Sequence, residues 1–315
     1  MRSPRFFLTL LLLSFSSESI GAGIVNTLPL AKDNTGKPVP RFVNGYTLFY
    51  DRDQGTVEAF DRAGSRVMNV TLSLPDVGRI NIVDVTASTA GRVVVLGSAI
   101  SRDRTQFASV LIWIRPDGQT EKVVRLNPYA ATRILFSGNG HLWAAGMARD
   151  SSFRETPEHD VLIEFDEHGE FVKSVLPRSM FAGAVGHPAG GGYLATSGDR
   201  IGLYSEMGRA YVEYDLAGHL IGKWGIAHLP NVKRPTGVGL TSNGEFHVGG
   251  WEKSKEAAAG RAVVYRLDRT TGQFVQFELP GVDATPKMLG LLGVDKDDLV
   301  LHCNPPSLAR ISGNP

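Results

Sequence analysis

The chain has 315 residues, of which 42% are hydrophobic and 21% charged, a composition typical of a globular protein with a large core. Disordered and fibrous classes are thereby excluded. Lysine and arginine number 33 against 32 aspartates and glutamates, so no strong net charge attracts nucleic acid or an anionic membrane. Any charged partner has to be recognised by a local patch.

The first 22 residues have the pattern of a secretory signal peptide. Arg2 and Arg5 precede an apolar run over residues 6–15, and the small residues Gly21 and Ala22 suit a cleavage site. The run is shorter than the about 20 apolar residues that span a bilayer. We therefore expect a secreted or periplasmic protein whose mature domain covers residues 23–315, with no membrane insertion after cleavage.

A strand–turn–strand unit recurs along the chain at intervals of 49 to 54 residues. Each copy has an apolar strand, a turn that ends in glycine, and a second strand. The turn glycines are Gly64, Gly118, Gly169, Gly218 and Gly272. Glycine suits such turns because a tight hairpin places one residue at positive φ. A fixed period of this length predicts a repeat architecture.

A second unit with smaller side chains lies between these copies and occurs six times. Its copies begin at residues 45, 91, 140, 192, 244 and 297. We interpret it as the second strand, b, of a four-stranded unit with the order a, tight turn, b, longer loop, c, tight turn, d. Six such antiparallel units predict an all-β fold, a six-bladed β-propeller. Trp143 lies in one of the apolar strands, so we expect its side chain to be buried.

The two ends of the chain complete the last blade in this prediction. The sixth unit stops after strand c, over residues 307–312, and the segment 24–30 resembles the d strands at 67–75 and 274–280. We expect it to insert as the outer strand of the last blade, which removes an open sheet edge. Cys303 is the only cysteine, so no internal disulfide forms, and the apolar run before it favours a buried thiol.

Two segments resemble known propeller families. Residues 234–248, Arg-Pro-Thr-Gly-Val-Gly-Leu-Thr-Ser-Asn-Gly-Glu-Phe-His-Val, resemble the repeat of NHL-type six-bladed propellers. Residues 137–146 are similar to blades of the streptogramin lyase and senescence-marker/gluconolactonase groups. The resemblance covers nearly the whole mature chain, and its motif is structural. No Trp-Asp pair recurs and the Gly191-Gly192 pair is not repeated, which argues against WD40 and kelch propellers.

The predicted loops differ between the two faces of the propeller. The a–b and c–d connections are tight turns, whereas the b–c connections are long in blades two to five. These loops cover residues 98–109, 147–160, 199–209 and 251–261. They share a face with the d–a connections. Loops on a rigid scaffold usually carry the binding residues, so we expect a site on this loop-rich face.

Five cations from five blades lie near the starts of the predicted a strands, on the same face. They are Arg79, Arg133, Arg178, Arg234 and Lys287. One interpretation is a basic ring at the channel mouth that receives an anionic ligand. The other is a set of solvated strand ends paired with neighbouring carboxylates.

A metal site is the second hypothesis, and it rests on the resemblance. Gluconolactonase-like enzymes hold a divalent ion with carboxylate and amide oxygens in the channel, and Asn81, Asp84, Asp199 and Glu252 have roughly suitable blade positions. Oxygen ligands suit Ca²⁺. No one-to-one match to that family's ligands is evident. His247 is either an acid/base partner of Glu252, as in a lyase, or a core histidine.

Two functions follow from these patterns. The first is an exported, non-catalytic module that binds a small anionic ligand or a protein through the loop-rich face. The second is a metal-dependent lactonase or other hydrolase, or a lyase, with its ion in the channel. The sequence has no His-Glu-x-x-His, Gly-x-Ser-x-Gly or Walker motif that would indicate another enzyme class. Nucleic acid is not an expected partner.

Overall fold

The structure is a computed structural model that describes residues 24–29, 39–75, 77–103, 107–152, 154–181, 184, 187–190, 192–226, 229, 232–252, 261–277, 279, 287–304 and 307–312. The predicted signal peptide, residues 1–22, lies outside the described residues. Within the described part of the chain, no helix is long and apolar enough to cross a membrane.

The described strands form six four-stranded antiparallel sheets, which are the six predicted blades. The innermost strands are β2 (Val39–Val43), β6 (Val77–Ala87), β10 (Tyr129–Phe136), β14 (Tyr193–Ser197), β18 (Val232–Leu240) and β22 (Lys287–Asp295). The second strands are β3 (Tyr46–Asp51), β7 (Val93–Ser101), β11 (Leu142–Ala148), β15 (Arg200–Ser205), β19 (Phe246–Glu252) and β23 (Asp298–Asn304).

The two outer positions complete each blade. The third strands are β4 (Thr56–Phe60), β8 (Phe107–Ile114), β12 (Asp160–Phe165), β16 (Ala210–Asp215), β20 (Arg261–Asp268) and β24 (Ser307–Ser312). The outermost strands are β5 (Arg66–Thr71), β9 (Thr120–Arg125), β13 (Phe171–Pro177), β17 (Leu220–Gly225), β21 (Gln273–Phe277) and β1 (Ile24–Pro29). The six-bladed propeller predicted from the repeat is confirmed.

Local chemistry explains the tight turns on the plain face. In the turn between β12 and β13, Oδ1 of Asp166 accepts hydrogen bonds from the backbone amides of His168 (2.9 Å) and Glu170 (2.8 Å). Gly169 closes this turn at φ +76°, a conformation that costs other residues energy. The recurring aspartate and glycine therefore encode the hairpins of the repeat.

The predicted closure of the ring is also confirmed. Strand β1 pairs antiparallel with β24, from Ile24 opposite Ile311 to Pro29 opposite Ser307. The last blade therefore takes its outer strand from the N-terminal end of the mature sequence and its other three strands from the C-terminal end. This pairing covers the edge that β24 would otherwise expose.

The core lies between neighbouring blades. Trp113 of blade two belongs to the same buried cluster as Ile134 and Phe136 of blade three, and Trp143 is fully buried, as predicted. Cys303 is a buried free thiol, and burial raises its pKa, which agrees with an inert core position. The close packing of these side chains between blades holds the inner strands at fixed positions around the axis.

The sequence prediction was wrong in blade four. Residues 193–197 form the innermost strand β14, not strand b, and the predicted long loop 199–209 contains strand β15. A two-residue turn with Gly198 at φ +55° joins the two strands, and Ile201 and Leu203 of β15 are fully buried. The predicted long loop 98–109 was also wrong, because β7 continues to Ser101 and β8 begins at Phe107. The long connections of the described loop-rich face include residues 149–159 and the blade-three to blade-four connector, 178–192.

Candidate functional site in the central channel

The innermost strands of all six blades line a cavity of about 190 Å³ on the propeller axis. Its described charged residues are Arg41, Arg52 and Arg133 against a single carboxylate, Asp84, which gives a formal charge of +2. The chain as a whole has a net charge of only +1. The cavity therefore has a local excess of positive charge that the net charge of the whole chain does not show. A local patch of this kind is what an anionic ligand would need for recognition by this chain.

Both carboxylate oxygens of Asp84 have partners that connect the first three blades. Its side chain is 6% exposed and lies 2.5 Å from Nη1 of Arg41 on β2. Its second oxygen accepts a hydrogen bond from the backbone amide of Ile134 on β10 (2.9 Å). Arg41 also donates to the carbonyl of Val85 (2.9 Å). Because Asp84 and Arg41 neutralise each other, the excess charge belongs to Arg52 and Arg133.

Arg133 is held in the cavity without an ion pair among the described residues. Its Nη1 donates to the carbonyl of Thr132 (2.7 Å), and its guanidinium lies 5.3 Å from the centre of the Tyr193 ring. Tyr193 is fixed in turn, because its hydroxyl donates to the carbonyl of Pro235 on β18 (2.9 Å). Stacking on an aromatic ring orients an arginine and leaves its other N–H groups free to bind.

Two tyrosine hydroxyls in the wall are neutral and already hydrogen-bonded to backbone carbonyls, Tyr193 to Pro235 (2.9 Å) and Tyr50 to Val83 (3.4 Å). Burial is the main cause that raises the pKa of both Tyr50 and Tyr193 above the ordinary value, with Asp84 adding to the shift of Tyr50. Both hydroxyls therefore keep their protons at neutral pH. Arg52 is hydrogen-bonded to the Tyr50 side chain at the end of β3. The tyrosines therefore bring no negative charge to the wall, and the donors left for an anion are the guanidinium N–H groups.

The five cations predicted from the sequence have different positions. Arg133 lines the channel cavity. Arg79 is exposed and binds Asp53 (2.9 Å), and Arg178 binds Glu155 (2.9 Å) in the blade-three to blade-four connector. The backbones of Arg234 and Lys287 lie in the inner strands β18 and β22, and their side chains are outside the described residues.

The four candidate metal ligands are not brought together as a group. Asn81 and Asp84 lie on β6, and Arg41 occupies the position next to Asp84 where a cation would bind. Asp199 is in the β14–β15 turn on the plain face with its side chain 86% exposed. Glu252 ends β19 on the loop-rich face. The distribution of these residues over both faces follows from the corrected strand register in blade four.

His247 is a core histidine in the structure. It is fully buried on β19, its ring lies edge-on to Phe277 at 5.3 Å, and it does not line the channel cavity. Burial, with a smaller contribution from Arg266, lowers its pKa to about 4. The ring is therefore neutral at physiological pH.

Sequence reasoning missed Arg41, Arg52, Tyr50 and Tyr193. One signal was available for Arg41, because it lies in strand a of blade one, the blade that the five predicted cations omit. Arg52 and Tyr50 lie at the end of strand b, and Tyr193 begins a strand that was assigned the wrong position. Only the three-dimensional register shows that these side chains meet.

Comparisons with known proteins identify the fold. No family model matches the sequence, and the search of curated proteins found no match. A luciferin-regenerating enzyme superposes with a TM-score of 0.50 at 12% identity, covering 92% of this chain and 95% of the other. A DUF4221 family member from Bacteroides vulgatus superposes with a TM-score of 0.51 at 11% identity, covering 92% and 97%.

A third structure, of a protein of unknown function from Bacteroides thetaiotaomicron, has a TM-score of 0.50 at 11% identity and covers 92% of this chain and 73% of the other. At these identities the similarity shows the fold alone. The chain is a six-bladed β-propeller, and membership in the NHL or gluconolactonase groups is not confirmed.

Proposed function

We propose that the chain is an exported β-propeller that binds a small anionic ligand in its central channel. The observation that carries the proposal is the guanidinium of Arg133, stacked on Tyr193 in a cavity whose only described carboxylate already binds Arg41. Desolvating an arginine without neutralising it is costly, and an anion removes that cost. The proposed export rests on the signal-like sequence of residues 1–22.

The size of the cavity limits the ligand. At about 190 Å³ it is smaller than the roughly 300–1,000 Å³ of pockets for drug-sized ligands. A group with one or two carboxylates, or a phosphate, matches both the volume and the positive wall. Such a group can accept two parallel hydrogen bonds from the guanidinium of Arg133, because a planar guanidinium binds carboxylate and phosphate oxygens in pairs.

A thermal-shift panel tests this proposal on the mature protein. The probes are acetate, succinate, citrate and inorganic phosphate at constant ionic strength, and acetamide and succinamide serve as neutral controls of similar shape. We expect at least one anion to raise the unfolding midpoint in a saturable way. A ligand at 100 times its dissociation constant adds about 2.7 kcal/mol to the free energy of unfolding.

The amide controls decide between charge recognition and simple cavity filling. If the amides stabilise the protein as much as the carboxylates do, the arginines do not select the ligand and the proposal fails. It also fails if none of the anions changes the midpoint. Repeating the titration of the best anion at higher salt should weaken its binding, because salt screens the attraction between the anion and the arginines.

A further inference from the structure

A second group of polar side chains lies on the loop-rich face, away from the channel cavity. Glu155 and His159 belong to the loop between β11 and β12, and His187 belongs to the connector that leads to β14. None of the three lines the channel cavity. Potential metal-ligating side chains are those of histidine, cysteine, aspartate and glutamate. Among the described residues, only this group brings three such ligand atoms close enough together to share one ion.

The distances in this group match the spacing of metal ligands. The Nε2 atoms of His159 and His187 are 3.2 Å apart. Oε1 of Glu155 lies 3.6 Å from Nε2 of His187 and 4.0 Å from Nε2 of His159. A tetrahedral ion with bonds of about 2.1 Å holds its ligand atoms about 3.4 Å apart. Small side-chain movements would therefore place all three atoms around one ion.

Hydrogen bonds outside the group orient two of its members. The Nδ1 of His159 lies 2.9 Å from the carbonyl of Thr156, so this nitrogen carries the proton and Nε2 has a free lone pair. Nε of Arg178 donates to Oε1 of Glu155 (2.9 Å) and fixes the carboxylate, and unlike Asp84, which is 6% exposed, Glu155 is 29% exposed, so solvent screens the charge of Arg178. Metal-binding histidines and carboxylates are commonly held by such outer partners.

The connector around His187 is anchored to the blades. The hydroxyl of Ser205 donates to the carbonyl of Pro188 (2.6 Å), and the hydroxyl of Thr132 donates to the carbonyl of Ala189 (2.8 Å). The two histidine side chains are 5% and 6% exposed, and that of Glu155 is 29% exposed. Solvent can therefore reach the group past Glu155, which provides an entry path and room for a water ligand.

We propose that Glu155, His159 and His187 bind a transition-metal ion such as Zn²⁺ and thereby tie the 149–159 loop to the blade-three to blade-four connector. Two imidazole nitrogens and one carboxylate favour zinc and related ions over Ca²⁺ or Mg²⁺, which prefer oxygen ligands. Three protein ligands leave the fourth tetrahedral position to water.

Metal binding replaces two hydrogen bonds of His187, one to Ala189 and one to His159. The amide of Ala189 donates to Nδ1 of His187 (3.0 Å), so the neutral ring carries its proton on Nε2 and donates it to Nε2 of His159. Binding through Nε2 requires this proton to move to Nδ1 of the same ring, with the loss of the Ala189 hydrogen bond. The ring stays neutral, and His159 and Glu155 need less rearrangement than His187.

The test is a titration of the untagged mature protein with Co²⁺ and Zn²⁺, with Mg²⁺ and Ca²⁺ as comparisons. We expect one Co²⁺ per chain with the intense visible absorption of tetrahedral cobalt, displacement by Zn²⁺, and a higher unfolding midpoint with Zn²⁺. His159→Ala should abolish the spectrum. Glu155→Gln, which keeps the size of the side chain, should weaken binding by about tenfold or more.

Matched controls are His168→Ala and His219→Ala, because these side chains are 70% and 82% exposed in turns of the plain face. Both variants should bind cobalt as the unmodified chain does. The proposal is overturned if the unmodified protein takes up no stoichiometric Co²⁺ or Zn²⁺. It is also overturned if folded Glu155→Gln and His159→Ala variants keep full affinity, or if the two control variants lose it.

Discussion

Two charged clusters inside the propeller differ in how completely they are neutralised. Between blades four and five, Glu213 is fully buried and accepts hydrogen bonds from the Tyr211 hydroxyl (2.8 Å), Arg269 (2.6 Å) and Arg200 (3.1 Å). In the channel, three arginines line the cavity with one carboxylate, which pairs with Arg41. The chain can therefore satisfy a buried charge where the architecture needs it, and the ligand site that we propose rests on channel arginines that no described carboxylate neutralises.

The largest effect should come from deleting residues 24–30, because both clusters depend on a closed ring. The deletion removes β1 from β24 and leaves a sheet edge with unpaired backbone groups in the blade that adjoins β2 and Arg41. We expect a large fall in the unfolding midpoint and aggregation, measured by calorimetry and light scattering. A truncated chain that unfolds like the full mature domain would contradict the closure.

Trp143→Ala shows how much the free energy of unfolding falls when a buried apolar side chain is removed, for comparison with the charged clusters. The side chain is fully buried in one cluster with Ala145 and Leu135, so its removal leaves a cavity. The free energy of unfolding should fall by about 3–5 kcal/mol. Denaturant unfolding measures this change, and Phe171→Ala on the exposed surface is the control. Equal losses in the two variants would be inconsistent with the described core.

Glu213→Gln should destabilise the chain by about 2–3 kcal/mol, less than the loss from a fully buried pair, because the Arg200 and Arg269 side chains are 36% and 27% exposed. The equivalent change in the channel is Arg133→Gln. It should alter the free energy of unfolding by about 0.5 kcal/mol or less, because Arg133 has no ion pair among the described residues to lose. Denaturant unfolding of both variants measures the difference, and equal destabilisation would contradict the claim that the two clusters are neutralised to different extents.

The sequence predicted most of the fold because the turn residues within each repeat specify the hairpins of each blade. Turn residues such as Asp166 and Gly169 mark the hairpins, and the similarity of segment 24–30 to the d strands predicted the closure. Blade four was misassigned because β14 has the small-residue pattern of a b strand, and the turn after it uses only Gly198 and Asp199. A two-residue turn gives little local signal in an apolar stretch.

The candidate sites were less predictable because their residues meet only through tertiary structure. Arg133 was identified by its place in strand a, but the pairing of Arg41 with Asp84 depends on how blade one packs against blade two. Strands β12 and β13 lie between His159 and His187 in the chain, and the spacing of the two histidines matches no metal-binding motif. Their proximity follows from the path of the connector after β13, which no periodic pattern specifies.

Anion affinity in two matched arginine variants tests the central claim most directly. Isothermal titration with the best anion of the panel should show Arg133→Gln weakened by about tenfold or more, since a hydrogen bond to a charged group contributes about 1.5–3 kcal/mol. Arg79→Gln, which changes an exposed arginine paired with Asp53 on the rim, should bind as the unmodified chain does. Equal affinity in all three proteins would contradict a binding site built around Arg133.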